Sequence, residues 1–286
     1  MPLLITPAEL AALLDDRRDV RLLDVRWRLD QPEGRPAYLG GHLPGAVYVD
    51  LDGELAQRGG DPRDGRHPLP SRDRLQAAAR RWGLNDGEIV VVYDDVHSVA
   101  AARAWWILSR SGVADVRVLD GGLRAWVGHG YALERGDFAP SRGNARLTAA
   151  DPGAVTMDEA ARAPVEGYLI DVRAPEHYRG LAPGLDPVAG HIPGALNIPV
   201  IAHIARDGTF RSPAEIRAVL DAFGVDPSRP ITLYCGAGIS SAHSALAYAE
   251  AGIETRIYPG SWSQWSRSPR RPVAVGRTPA DALQSW

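Results

Sequence analysis

LLDVR at residues 22–26 and GHLPGA at 41–46 return as LIDVR at 169–173 and GHIPGA at 190–195, so the chain reads as two copies of one unit. The correspondence continues in order. VVVYD at 90–94 matches ITLYC at 231–235, and LDGG at 119–122 matches YPGS at 258–261. About eight extra residues fall between 47 and 92 of the first copy, which places an insertion in the polar loop at 53–70.

Each copy alternates short Val/Ile/Leu/Tyr runs with helical stretches. SRDRLQAAARRWG at 71–83 and SPAEIRAVLDAFG at 212–224 both open on a capping serine and close on glycine. Strand and helix in alternation predict an α/β fold, here tandem duplicated domains, each a parallel sheet flanked by helices. ERGDFAPSRGNA at 134–145 lacks periodicity and marks the junction. The expected boundaries are a first domain at 1–135, a linker at 136–152, a second domain at 153–272 and a Pro-punctuated tail at 273–286.

With 286 residues, 45% hydrophobic and 23% charged, the chain can bury a real core and is neither disordered nor collagen-like. A formal charge of −3 offers no global attraction for nucleic acid or anionic lipid, so neither partner is expected and any anion site must be local. Acids, Arg, Gly or Pro interrupt every apolar run well short of the roughly 20 residues needed to cross a bilayer. The opening MPLLITPAELAALLDD has no basic segment and carries Glu9, Asp15 and Asp16, so a cytoplasmic location is expected. A single cysteine, Cys235, excludes an internal disulfide and a zinc site of several thiolates.

Cys235 ends the apolar run ITLY and is followed by GAGIS and then by SAHSALAYAEAG, a helix expected to stop at Gly252. Open α/β sheets gather ligands at this point, beyond the carboxyl ends of their strands. Glycines at 236 and 238 let successive amides turn toward one centre, and the helix N-terminus adds its dipole; both favour a thiolate. Cys235 is thus a candidate nucleophile, although a lone cysteine is often only a small buried hydrophobe. The first copy has Asp94 there, followed by DVHS, so only the second can perform thiol chemistry.

With its doubled DVR and GH[LI]PGA words and a cysteine opening a glycine loop in the second copy only, the chain resembles the two-domain rhodanese family of thiosulfate and 3-mercaptopyruvate sulfurtransferases. The resemblance covers about residues 5–270 and extends to GSWSQWS at 260–266. It implies a pair of rhodanese-like folds in which Cys235 takes sulfane sulfur from a small donor as a persulfide and passes it to cyanide or another thiophile. A thiol protein such as thioredoxin is a further possible acceptor. Gly236, Ala237, Gly238, Ile239 and Ser240 would cradle the persulfide with their amides, with no metal and no organic cofactor.

In the family, thiosulfate enzymes tend to carry basic residues directly after the cysteine; Gly236 and Ala237 are neutral, which tilts the reading toward mercaptopyruvate. That branch usually reads CGSG and uses the serine with an Asp and a His from the first domain. Here the serine is replaced by Ala237, while the acid and imidazole match Asp52, in VDLDG, and His67, in RHPLP. The family's substrate arginine falls in a word like RFxG; here the word is HYRG, which puts His177 at that place and Arg179 two residues on. Trp27, in DVRW, matches a pocket-wall aromatic. His42, His191 and His243 read as structural.

Cysteine phosphatases also place a cysteine loop at a helix N-terminus, but they need C-x5-R, and the sixth residue after Cys235 is Ser241. A persulfide relay serving a protein partner is the remaining alternative, and slow turnover accelerated by that partner would distinguish it.

Overall fold

In a computed structural model, residues 2–16, 19–57, 60–148, 153–182, 184–279 and 283–284 are described, the last two by backbone alone. Two compact units emerge. The first comprises Met1–Arg58, Leu69–Pro152 and Ala205–Phe210; the second comprises Gly59–Pro68, Gly153–Ile204 and Arg211–Trp286. Residues 149–152 of the expected linker, and 280–282 and 285–286 of the expected tail, lie outside the described residues.

The first unit holds a parallel sheet of β1 (Leu4–Ile5), β2 (Val20–Asp24), β3 (Val47–Tyr48), β4 (Ile89–Tyr93) and β5 (Asp115–Leu119), ordered β1-β5-β4-β2-β3. In the second unit β6 (Tyr168–Asp171), β7 (Leu196–Asn197), β8 (Ile231–Tyr234) and β9 (Arg256–Ile257) repeat that order as β7-β6-β8-β9. A parallel bridge from Ala154 to Ile257 takes the place of β1. Helices cover both faces, so β8 is buried along its whole length and every residue of ITLY is apolar or tucked away.

Both helices with a capping serine form as the sequence predicts. Ser71 caps Arg72–Arg81, Ser212 builds a full capping box with Glu215 on Pro213–Ala222, and Gly83 and Gly224 follow with φ of 73° and 67°. The repeated GH[LI]PGA word is a structural device. His42 stacks on Tyr38 at 4.1 Å and His191 on Tyr178 at 3.7 Å, while each tyrosine donates its hydroxyl to a backbone carbonyl, of Ala46 and Ala195. Val273–Ala274, in the expected tail, is buried; it forms β10, antiparallel to β11 (Leu283–Gln284), and Ala274 bridges to His191.

Two buried titratable groups, one in each unit, give stability opposite pH slopes. Burial drives His203 down to about 4, with its ring held between the hydroxyls of Tyr248 (3.1 Å) and Ser244 (3.3 Å). Burial drives Asp24 up to about 6 even though Arg26 lies 2.6 Å away. The His203 contribution is complete above pH 6.5 and is lost as pH falls toward 4, because the unfolded chain takes a proton the native imidazole refuses; it amounts to about 3 kcal/mol. Asp24 works the other way: the native carboxyl binds its proton first, and the first unit gains stability between pH 6 and the ordinary carboxylate range. Lowering the pH from 7 to 4.5 is expected to lower the unfolding temperature of the second unit, and His203→Gln should flatten that slope. An unchanged slope in the variant, measured by calorimetry, would show that His203 does not set it.

Candidate active site

Strand β8 delivers Cys235 to the carboxyl edge of the second sheet, and the helix Ser240–Glu250 leaves from it. The sulfur is enclosed, with the residue 2% exposed, but its neighbours are polar. Gly238 donates its amide to Sγ at 3.1 Å, and the hydroxyls of Ser241 and Ser261 stand 3.7 Å and 4.0 Å away. Gly238 has φ of 76°, and a β-carbon on it would meet the Pro259 carbonyl at 2.4 Å, so the backbone can turn its amide toward the sulfur only as glycine.

The GSWS word at 260–263 clamps this loop. Ser261 accepts the Cys235 amide at 3.2 Å and donates to the Tyr258 carbonyl at 2.9 Å. The Trp262 and Ser263 amides donate to the carbonyls of Cys235 and Gly236 at 3.0 and 2.8 Å. Ser261 takes a left-handed φ of 51°, a strained conformation for a residue with a side chain, held by these bonds.

Of the five expected cradle residues, Gly238 touches the sulfur through its amide, Ala237 and Ile239 are buried in the loop, Gly236 is partly exposed and Ser240 opens the helix. On the helix that leaves the loop, the hydroxyl near Sγ is that of Ser241, the neighbour of Ser240. One helical residue step separates them, and the sequence offers no means to choose.

Arg173, the last residue of the second DVR, is a further group that the sequence did not single out. It grips Asp171 through Nε at 3.0 Å and Nη2 at 2.5 Å, donates to the Gly190 carbonyl at 2.7 Å, and lies 4.8 Å from the Trp262 ring centroid. Burial opposes its charge, yet Asp171 above all, and Tyr234 and Cys235 after it, hold its guanidinium above the ordinary range. Its guanidinium, already paired with Asp171, lies within electrostatic reach of the sulfur. As part of a word present in both copies, it read only as a mark of duplication.

The other expected contacts are spread over both units. Asp52 and the buried Trp27 belong to the first, Asp52 on the short helix Leu51–Glu54. His67 belongs to the second, on the 59–68 segment. His177 is exposed on the short helix Pro175–Tyr178; Arg179, partly buried, follows it, and its carbonyl accepts the Gly276 amide at 3.2 Å.

The first unit shows what such a bend does when filled. Asp94 is fully buried; its Oδ1 accepts the amides of Val96 and Ser98 at 2.8 and 2.9 Å, and its Oδ2 those of Ala100 and Ala101 at 2.8 and 3.0 Å. Burial pushes this carboxyl up while the four amides pull it down. The DVHS loop therefore makes an amide cradle without glycine, because His97 and Ser98 adopt left-handed φ of 53° and 61°.

The rhodanese-like domain family matches residues 6–129 and 156–268. SseB of Mycobacterium tuberculosis, provisionally named a thiosulfate sulfurtransferase, is 46% identical over 278 residues, covering 96% of this chain and 97% of its own. The 3-mercaptopyruvate sulfurtransferase of Homo sapiens is 34% identical over 258 residues, covering 86% of this chain and 84% of its own. The crystal structure of SseA from Escherichia coli, described as a 3-mercaptopyruvate sulfotransferase, superposes with a TM-score of 0.79 at 30% identity, covering 92% of this chain and 99% of that one. A duplicated parallel sheet, one cysteine-bearing loop and these likenesses lead to one conclusion: the chain belongs to the rhodanese family and is a sulfurtransferase.

Proposed function

We propose that Cys235 carries the transferred sulfur as a persulfide, taken from a small anionic donor, with 3-mercaptopyruvate favoured, and handed to cyanide or another thiophile. The Asp94 cradle carries this reading. An aspartate reaches two atoms beyond its β-carbon, whereas a cysteine reaches one. A persulfide adds a second sulfur about 2 Å beyond the first and so restores the reach of the carboxylate. Counting from the cysteine, the amides in register with those that hold Asp94 are on Ala237, Ile239, Ser241 and Ala242; the last donates to the Ile239 carbonyl at 3.0 Å, which leaves the first three for the outer sulfur. They suit an anion one atom longer than the thiolate, and Gly238 serves the inner sulfur.

In the first half-reaction the thiolate attacks the donor sulfur and a C–S bond breaks. The electron pair leaves on the pyruvate enolate, whose carbon takes the proton from the donor thiol. The thiophile then attacks the outer sulfur, the S–S bond breaks and the thiolate returns. Gly236 and Ala237, both neutral, favour this donor over thiosulfate. We assign Asp52, His67 and Trp27, with His177 and Arg179, as its contacts. A thiol protein such as thioredoxin suits the acceptor role, and an unpaired lone cysteine suits a reducing, cytoplasmic setting.

The test is kcat/KM for 3-mercaptopyruvate and for thiosulfate, each with cyanide as acceptor. A higher value for mercaptopyruvate is expected, and a higher value for thiosulfate would overturn the donor assignment.

A further inference from the structure

Loop 59–68 of the second unit brings a cation to the cysteine loop. Arg66 Nη2 would stand 3.1 Å from a β-carbon placed on Gly236, the residue directly after the nucleophile. The guanidinium thus occupies the space that a side chain at 236 would fill. Its position is fixed from two sides. The Arg66 amide donates to Ser263 Oγ at 3.1 Å, and the Ser263 amide donates to the Gly236 carbonyl at 2.8 Å, so one residue ties both loops together. Gly65, with φ of 93°, lets the backbone lie against Ser263 Oγ and the Gly260 carbonyl, which a β-carbon there would meet at 2.9 and 3.0 Å.

The charges do not cancel. Arg66 Nη1 pairs with Asp186, and Arg267 shares the same carboxylate oxygen at 2.7 Å while donating to the Ser263 carbonyl at 2.6 Å. Two guanidiniums, each about a fifth exposed, meet one carboxylate that is 7% exposed, leaving one positive charge beside the loop. Arg66 Nε is buried with no hydrogen-bond partner among the described residues, so the donors of this guanidinium are not all used. Arg173, by contrast, is neutralised by its own Asp171.

We infer that Arg66, braced by Asp186 and Ser263, receives the anionic head of the sulfur donor, so that dianionic donors of the thiosulfate type are accepted although residues 236 and 237 are neutral. This rests on Cys235 being the nucleophile and adds a subsite to it. The position of the cation also gives it a direct part in specificity, since a dianion gains more from one positive charge than a monoanion does.

Because Cys235 is the single cysteine, its alkylation reports the local field without any sulfur transfer. The measurement is the ratio of second-order rates for iodoacetate, an anion, and iodoacetamide, its neutral counterpart, at one pH on the full chain. Arg66→Gln is expected to lower the ratio roughly threefold to fivefold, Arg66→Lys to retain most of it, and Arg229→Gln, which removes a charge stacked on Tyr168, to leave it unchanged. The same Arg66→Gln change should raise KM for thiosulfate more than for mercaptopyruvate. An unchanged ratio in Arg66→Gln overturns the inference. Should that variant fail to fold, the wild-type iodoacetate rate must fall with ionic strength while the iodoacetamide rate stays flat; equal responses overturn it as well. Loss of the Cys235 reading would show separately, as sulfur transfer that survives removal of the thiol.

Discussion

Cys235→Ser is expected to abolish thiocyanate formation from every donor, to below roughly a thousandth of the wild-type rate, while the unfolding temperature barely moves. Serine fits the same space and its oxygen can still accept the Gly238 amide, so the loop held by Ser261, Trp262 and Ser263 keeps its shape. The chemistry goes because an alcohol at neutral pH is neither an anion nor able to hold sulfane sulfur in an exchangeable S–S bond. Activity near wild type in a correctly folded variant would take the thiol out of the reaction. Circular dichroism alongside the assay separates that outcome from simple unfolding.

Asp94→Ala should be the most damaging single change to the first unit. It leaves four buried amides, on Val96, Ser98, Ala100 and Ala101, without their acceptor. At about 1–3 kcal/mol for each buried donor left unmade, and with part of the loss recovered by relaxation, a total of about 4 kcal/mol or more is expected. The left-handed backbone of His97 and Ser98 loses its support at the same time. Asp94→Asn, which keeps one carbonyl oxygen, should fall between the two. Urea titration checks the order, and kcat per folded molecule should stay the same, since Asp94 plays no part in the transfer. A cost under 1 kcal/mol for Asp94→Ala would mean the bend is held by other contacts.

The duplication, the parallel sheets, the helix limits and the placing of Cys235 at a strand end were legible because each rests on local pattern: apolar runs, capping serines, glycines where φ turns positive. The surroundings of the sulfur were less so. Ser240 and Ser241 are equivalent in sequence, and helical phase alone decides which hydroxyl faces Sγ. Arg173 and Arg66 act through packing between segments far apart in the chain, and Arg66 stands beside His67, the residue to which the family pattern drew attention. The Asp94 loop, DVHS, has no glycine and so gave no sign of a cradle in the sequence. Four hydrogen bonds to one carboxylate offset the strain that glycine would have avoided.

Gly59–Pro68 is built into the second unit and Ala205–Phe210 into the first, where the Phe210 amide donates to Asp120 at 2.9 Å. The ancestral seam between the copies is therefore no longer where the molecule can be divided. A protein severed near residue 150 would part the thiol from the arginine that serves it, and each fragment would carry away a segment that belongs with the other unit. What began as two interchangeable modules has become a single heritable object, and recombination that swaps one half for a relative's must also swap the borrowed loops.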